Sequence, residues 1–300
     1  MNVLQMNERE RRIDERGVDS ILEIFDIVTG ERKVLGTYDG VIEAPNWTVD
    51  GKSLVFNRQG RLVSRCLETG VENEIESGIA DNCNNDHVLS PCGRHIAVSH
   101  HTWEDGASRI YTLPLSGGAP TLITPMAPSY LHGYSPDGKT LAYCAERDGQ
   151  YDIYTIPAAG GRETRLTDTP GLDDGPEYSP CGGHIWFCST RSGLMQVWRM
   201  DADGGNQTQM TFDEANGWFP HVSPDGELVV FIAYRKGDVD PGDHPANKDV
   251  DLRLMSVRGG NVKVLFSLFG GQGTINVNSW APDSRRFAFV SYKKRTLASS

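Results

Sequence analysis

Tyr134-Ser135-Pro136-Asp137-Gly138-Lys139-Thr140-Leu141-Ala142-Tyr143 decides the architecture, because the chain says it six times in variant form. The phrase is an aromatic residue, a Ser-Pro-Asp-Gly turn and a short apolar run. Proline presets φ for a turn, aspartate caps it and glycine accepts positive φ, so each copy reads as the tip of a hairpin. The other copies are Trp47-Thr48-Val49-Asp50-Gly51 before Leu54-Val55-Phe56, and Ser90-Pro91-Cys92-Gly93 before Ile96-Ala97-Val98. Ser179-Pro180-Cys181-Gly182 leads to Ile185-Trp186-Phe187, and Ser223-Pro224-Asp225-Gly226 to Leu228-Val229-Val230-Phe231. The last is Ala281-Pro282-Asp283-Ser284 before Phe287-Ala288-Phe289.

A second phrase alternates with the first: period-two apolar residues running into a glycine turn. Ile110-Tyr111-Thr112-Leu113 precedes Gly117-Gly118, and Ile153-Tyr154-Thr155-Ile156 precedes Gly160-Gly161. Val197-Trp198-Arg199-Met200 and Leu252-Arg253-Leu254-Met255 do the same, with weaker copies at Leu62-Val63-Ser64 and Leu22-Glu23-Ile24-Phe25. Such alternation reads as hairpin strands. Two hairpins per unit make four strands, and a period of about 42–45 residues suits one four-stranded propeller blade. The fifth interval is longer and carries an insertion.

The order of the phrases predicts how the ring closes. The chain opens on a second phrase, near Ile21 to Gly30, and ends on a first phrase, near Trp280 to Tyr292. Together the two orphans make one blade, so N-terminal strands are expected to complete the C-terminal sheet and leave no open edge. The expectation is an all-β chain: residues 1–19 as an arm, frayed or a short helix, and residues 20–300 as a single six-bladed β-propeller domain.

Composition narrows the function classes. The net charge is −11 and the pI about 5.2, which disfavours nucleic-acid partners. Lys293, Lys294 and Arg295 read as a solvated basic tail. The first residues, rich in Glu and Arg, do not read as a secretory leader, and no window has the apolar length of a membrane span. Six cysteines without CxxC spacing read as reduced thiols, which points to the cytoplasm.

The Ser-Pro-Asp-Gly turns, the aromatics two residues before proline or its equivalent (Trp47, Tyr134, Tyr178, Trp280) and the Gly-Gly turns resemble the TolB propeller domain and its WD-repeat-like relatives. The likeness spans about residues 20 to 292. It implies a propeller that binds a protein or peptide segment at one mouth of its channel. The related oligogalacturonate lyase supplies the alternative, a metal-dependent enzyme acting on a sugar or uronate. A hydrolase reading finds no G-x-S-x-G elbow, since Gly133 to Gly138 has the wrong spacing.

If the Ser-Pro-Asp-Gly turns share one face, the residues opening each innermost strand gather at the other. These are Asn46, Asp86, His87, His132, Glu177, Trp218, His221 and Asn278, the candidate ligand-binding set. His87, His132 and His221, with Glu177, could hold a divalent transition metal; the plainer reading is polar residues rimming a wet channel. The connecting loops add His100, His101, Trp103, Arg147, Arg191, Tyr234, Arg235 and His244, because loops on a rigid scaffold carry function. Trp103 and Trp218 are the candidate aromatic anchors, and Arg147, Arg191 or Arg235 could hold an acidic substrate. The polar insertion from Lys236 to Lys248 reads as either a lid over the mouth or a floppy decoration, the lid being favoured slightly. Its ligand and the oligomeric state have no signature in the sequence. A non-catalytic binding module ranks first and the metal-dependent enzyme second, with no catalytic residue assigned.

Overall fold

The computed structural model describes residues 17–295. The chain is an all-β, six-bladed propeller. Its first two strands, β1 (Val18–Asp26) and β2 (Arg32–Asp39), belong to the last blade. Blade 1 follows as β3 (Ile42–Trp47), β4 (Ser53–Arg58), β5 (Arg61–Cys66) and β6 (Glu72–Ile75). Blade 2 holds β7 (Cys83–Leu89), β8 (His95–His101), β9 (Ser108–Pro114) and β10 (Thr121–Leu122). Blade 3 holds β11 (Ser129–Tyr134), β12 (Thr140–Arg147), β13 (Gln150–Pro157) and β14 (Thr164–Arg165). Blade 4 is β15 (Asp173–Tyr178), β16 (His184–Ser189), β17 (Gln196–Asp201) and β18 (Thr208–Gln209). Blade 5 is β19 (Asn216–Val222), β20 (Leu228–Tyr234), β21 (Ala246–Ser256) and β22 (Lys263–Gly271). Blade 6 orders β23 (Arg286–Lys294), β1 and β2 from the axis outward.

The innermost place of blade 6 is taken by segment 274–281. It reaches β23 through Val290 N–H to Thr274 O, Ala288 N–H to Ser279 O and a bridge between Trp280 and Phe287. Ring closure is antiparallel pairing of β1 with β23, in register from Val18 opposite Lys294 to Asp26 opposite Arg286. The boundary expected at residue 20 therefore moves to Val18, while the arm over residues 1–16 lies outside the described residues. The basic run also changes role. Lys293 and Lys294 end a paired strand instead of trailing as a tail, Lys294 Nζ sits 4.6 Å over the Phe269 ring, and Arg295 pairs with Asp19 at 2.8 Å.

Period-two alternation explains the packing. Each second strand sends alternate side chains to the blade before and the blade after, so both faces are buried. Leu54 and Phe56 face the core shared with blade 6, while Val55 faces the core shared with blade 2. Ile185 and Phe187 pack toward blade 3 and Trp186 toward blade 5. Val229 and Phe231 pack back on blade 4, and Val230 and Ile232 forward on blade 6. The result is a core between every pair of neighbouring blades and a polar axis.

The Ser-Pro-Asp-Gly turns behave as their chemistry requires. Ser135 Oγ donates to Asp137 Oδ1 at 2.6 Å, Asp137 Oδ1 takes the Lys139 N–H, and Gly138 has φ 72°. Ser223 and Asp225 repeat the arrangement, and Thr48 with Asp50 replaces serine by threonine. These turns follow the far ends of the innermost strands, so the near ends form the opposite mouth.

Candidate functional site at the channel mouth

A β-bulge recurs in the innermost strands and aims the side chains of the mouth. Register shifts fall at Glu43/Asn46, Cys83/His87, Leu131/Gly133, Asp174/Glu177 and Trp218/His221. Three bulges hold a residue at positive φ: Ala44 at 54°, Gly175 at 63° and Phe219 at 53°. A bulge bends its strand and redirects a side chain. For a bulky residue such as Phe219 this backbone is costly and persists only where packing enforces it. Here the Phe219 ring stacks on His132 with centroids 5.6 Å apart, and a Cβ at Gly175 would stand 2.9 Å from Phe219 Cδ1.

The bulges sort the polar residues into two tiers. The outer tier encloses a cavity of about 400 Å³ at the mouth. Asn84, Asp86, Tyr130, His132, Asp174 and Phe219 reach it from innermost strands. His101, Cys144, Tyr151, Leu172, Gly242, His244, Gln272 and Asn276 complete its lining. The insertion thus contributes directly to the cavity wall. His244 is anchored there by ring contacts of 4.3 Å to Trp218 and 5.2 Å to Phe219.

The outer tier is electrostatically tuned. Burial pushes the Asp86 carboxyl up to about 6; His132 opposes this and the Asp174 charge adds to it. His132 Nε2 lies 3.2 Å from Asp174 Oδ1. Burial works against a charged His132, but the carboxylates Asp86 and Asp174 outweigh it and raise its pKa. Asp174 is buried too, yet its contact with His132 and the Gly175 N–H hold it below the ordinary carboxylate range. His244 is lowered, chiefly by burial. Among the described residues no lysine or arginine lines the cavity.

The inner tier is a closed hydrogen-bond belt. Glu177 Oε2 lies 2.7 Å from His221 Nδ1, and His221 Nε2 lies 2.9 Å from the Ile275 carbonyl. Glu177 Oε1 accepts from the Val222 N–H and from Asn278 Nδ2. Asn46 Nδ2 donates to the Asn278 carbonyl at 2.6 Å, and Trp280 Nε1 to the His221 carbonyl at 3.0 Å. Blades 1, 4, 5 and 6 are tied together across the axis, which makes the belt a structural hub.

Placed in this frame, the residues expected to converge divide. Asp86, His132, His101 and His244 share the cavity. Asn46, Glu177, His221 and Asn278 form the belt. His87 is fully buried, and burial pushes it down to about 4. The three imidazoles His87, His132 and His221 do not form a common site, and among the described residues no three His, Cys, Asp or Glu side chains are arranged to hold a metal ion. Trp218 is fully buried beneath His244, so it is wall support and not an anchor. Trp103 remains exposed and donates its Nε1 proton to Asp81 at 2.8 Å.

The arginines expected to hold an acidic substrate serve the fold. Arg147 is paired with Glu163 at 2.8 Å and donates to the Pro128 carbonyl. Arg191 pairs with Asp173 at 2.6 Å and stacks over Trp198. Arg235 is exposed, 4.0 Å from Asp251. Tyr234 is buried and donates to the Pro245 carbonyl at 2.8 Å, fixing the end of the insertion. His100 is buried against Tyr111 and accepts the Asn82 N–H at 3.2 Å.

The residues that the sequence did not point to are Asn84, Tyr130, Tyr151, Asp174, Phe219 and Asn276. A signal existed: Pro45, Pro176 and Pro220 each interrupt an innermost strand, and proline inside a strand marks a bulge. Asp174 sits just before such a break.

Comparison with known proteins agrees with this architecture. The profile of the TolB beta propeller domain matches residues 88–257. An uncharacterised protein of Agrobacterium fabrum is 47% identical over 274 residues, spanning 91% of this chain and 92% of its own length. A solved structure from Agrobacterium tumefaciens, assigned provisionally to TolB, superposes with a TM-score of 0.88 at 46% identity, covering 92% of this chain and 99% of that one. TolB from Acinetobacter baumannii gives 0.62 at 20% identity, covering 91% of this chain and 64% of that one. An oligogalacturonate lyase in complex with manganese gives 0.57 at 18% identity, over 81% of this chain and 69% of that one, a likeness of fold alone.

Proposed function

Because the chain belongs to the TolB β-propeller family, we propose that it is a binding platform that receives a segment of a protein or peptide partner in the mouth cavity. The observation that supports this reading is the cavity itself. It is of a size to enclose a few side chains, and blades 2 to 5 and the 272–276 segment supply its walls. Its strands and bulges are pre-set by cores on either side, so little ordering cost falls on binding.

The second reading, an enzyme acting on a sugar or uronate, meets a charge problem. A uronate carboxylate entering the cavity would face Asp86 and Asp174, with no lysine or arginine among the described residues of the wall. Of the three arginines that the sequence offered, Arg147 and Arg191 are already paired with Glu163 and Asp173, and Arg235 lies outside the cavity lining.

The test is affinity capture from lysate with two single variants. Tyr130→Ala opens the mouth wall, and Lys139→Ala alters the opposite face. The expected result is a discrete partner held by the wild type and by Lys139→Ala but released by Tyr130→Ala. Equal capture by all three, or none above background, would overturn the proposal.

A further inference from the structure

Resting on that reading of the mouth, we propose that the cavity is a receptor for a primary ammonium group, held between Asp86 and Asp174 against the rings of Tyr130, Tyr151 and Phe219. Two carboxylates line the cavity, each with one oxygen open to a donor. Asp86 and Asp174 are both more than nine-tenths buried. Asp86 Oδ2 accepts from Asn84 Nδ2 at 2.6 Å, but Asp86 Oδ1 accepts no hydrogen bond from the described residues. Asp174 Oδ1 takes the Gly175 N–H at 2.7 Å and faces His132, while Asp174 Oδ2 is likewise unengaged among the described residues. Both residues line the cavity, so these oxygens are open to it, and a ligand that brings N–H groups and positive charge can engage them there.

The walls select the sign and shape of the ligand. Two carboxylates line the cavity, the Glu43 charge also acts on Asp86, and among the described residues no lysine or arginine of the lining answers them. His132 offsets at most one of the charges. Tyr130, Tyr151 and Phe219 add aromatic surface that favours a cation at its face. Asn84, Asn276 and Gln272 supply amide groups for the backbone of whatever carries the ammonium.

Proton linkage has a definite sign. The titratable groups lining the cavity are Asp86, Asp174, His101, His132, His244, Tyr130, Tyr151 and Cys144, and the Glu43 charge acts on Asp86 from outside the lining. As pH falls through about 6, Asp86 takes a proton and stops attracting the cation, and protonation of His132 opposes it further. Affinity therefore weakens on the acid side.

The ammonium can come from a lysine side chain, a chain N-terminus or a free small amine, and titration calorimetry separates these sources. The probes are acetyl-Ala-Lys-Ala-amide, Ala-Ala-Ala-amide with a free N-terminus, 1,4-diaminobutane, and acetyl-capped Gln and Glu tripeptide amides. At pH 7.5 at least one ammonium probe is expected to bind about tenfold or more tighter than the Gln and Glu peptides, and Asp86→Asn to weaken it about tenfold or more. A lysine source holds its affinity up to pH 9, whereas an N-terminal source fades above about pH 8 as the α-amino group loses its proton. Binding of the diamine without either peptide keeps the ammonium chemistry but contradicts a partner segment as its source. The inference is overturned if the Glu or Gln peptide binds as tightly as the ammonium probes, if folded Asp86→Asn binds like the wild type, or if no ammonium probe binds. Tyr130-dependent capture of a partner alongside failed ammonium probes would leave the platform standing and remove only this inference. Asp174→Asn provides a second lesion, with a cooperative thermal melt as the control for folding.

Discussion

Asp86 is a residue whose function and stability pull apart. Its folded pKa is raised, so the folded protein prefers its neutral form. The sign follows: Asp86 costs nothing below its unfolded pKa, near 3.8, and destabilises progressively as pH rises toward 6. Asp86→Asn is therefore predicted to stabilise the protein at pH 7.5 by up to about 3 kcal/mol. The gain should vanish near pH 4, as read by urea unfolding at both pH values. Asp174 has the opposite sign: its stabilisation is present above its unfolded pKa and is lost as pH falls through its depressed folded value. In the belt, Glu177→Ala strands His221 and Asn278 and is expected to cost about 3–5 kcal/mol, measured the same way. At this scale the sequence exposed His132, Asp86, Glu177 and His221 as a set but could not tell cavity from belt. That distinction depends on which side of a bulge each residue falls, and the bulge is a property of strand pairing.

The strand and its bulge set the scale at which the site is built. Gly175 shows why: its φ of 63° and the Phe219 ring 2.9 Å from a would-be Cβ leave no room for a side chain. Gly175→Ala is predicted to destabilise by about 1–3 kcal/mol and to displace Phe219 from its stack on His132. Gly149→Ala makes the comparison, since Gly149 has φ 80° and open space, so it suffers the backbone cost alone. Thermal melts of the two variants, with Phe219 ring NMR shifts, check both parts, and an equal effect at the two sites would contradict the packing account. The strands and turns were legible because period two and Ser-Pro-Asp-Gly are local. The insertion was legible as a polar loop and a candidate lid, but how it docks was not. Its docking through His244 on Trp218 pairs residues from different elements, and no local pattern marks that. Pro45, Pro176 and Pro220 mark three of the five bulges in the sequence, but the bulges beside Asp86 and His132 carry no proline and show only in the strand pairing.

Closure governs the whole molecule. Six inter-blade cores support one another only if β1 completes the last sheet, and that architecture was readable from the orphan phrases at the two ends. Removing residues 1–26 takes β1 away and exposes the edge of β23. The shortened chain is predicted to lose its cooperative melt and to self-associate on size exclusion, since an unpaired strand edge invites pairing. A monomer with an unchanged melt would contradict the closed ring as the source of stability. The closed ring gives the molecule two distinct faces, and the account assigns binding to one of them. Site-specific photo-crosslinking compares them directly, with a photoreactive residue placed at position 101 on the cavity rim or at position 139 among the Ser-Pro-Asp-Gly turns. Partner adducts at 101 and none at 139 are the predicted result; adducts at 139 alone would contradict it.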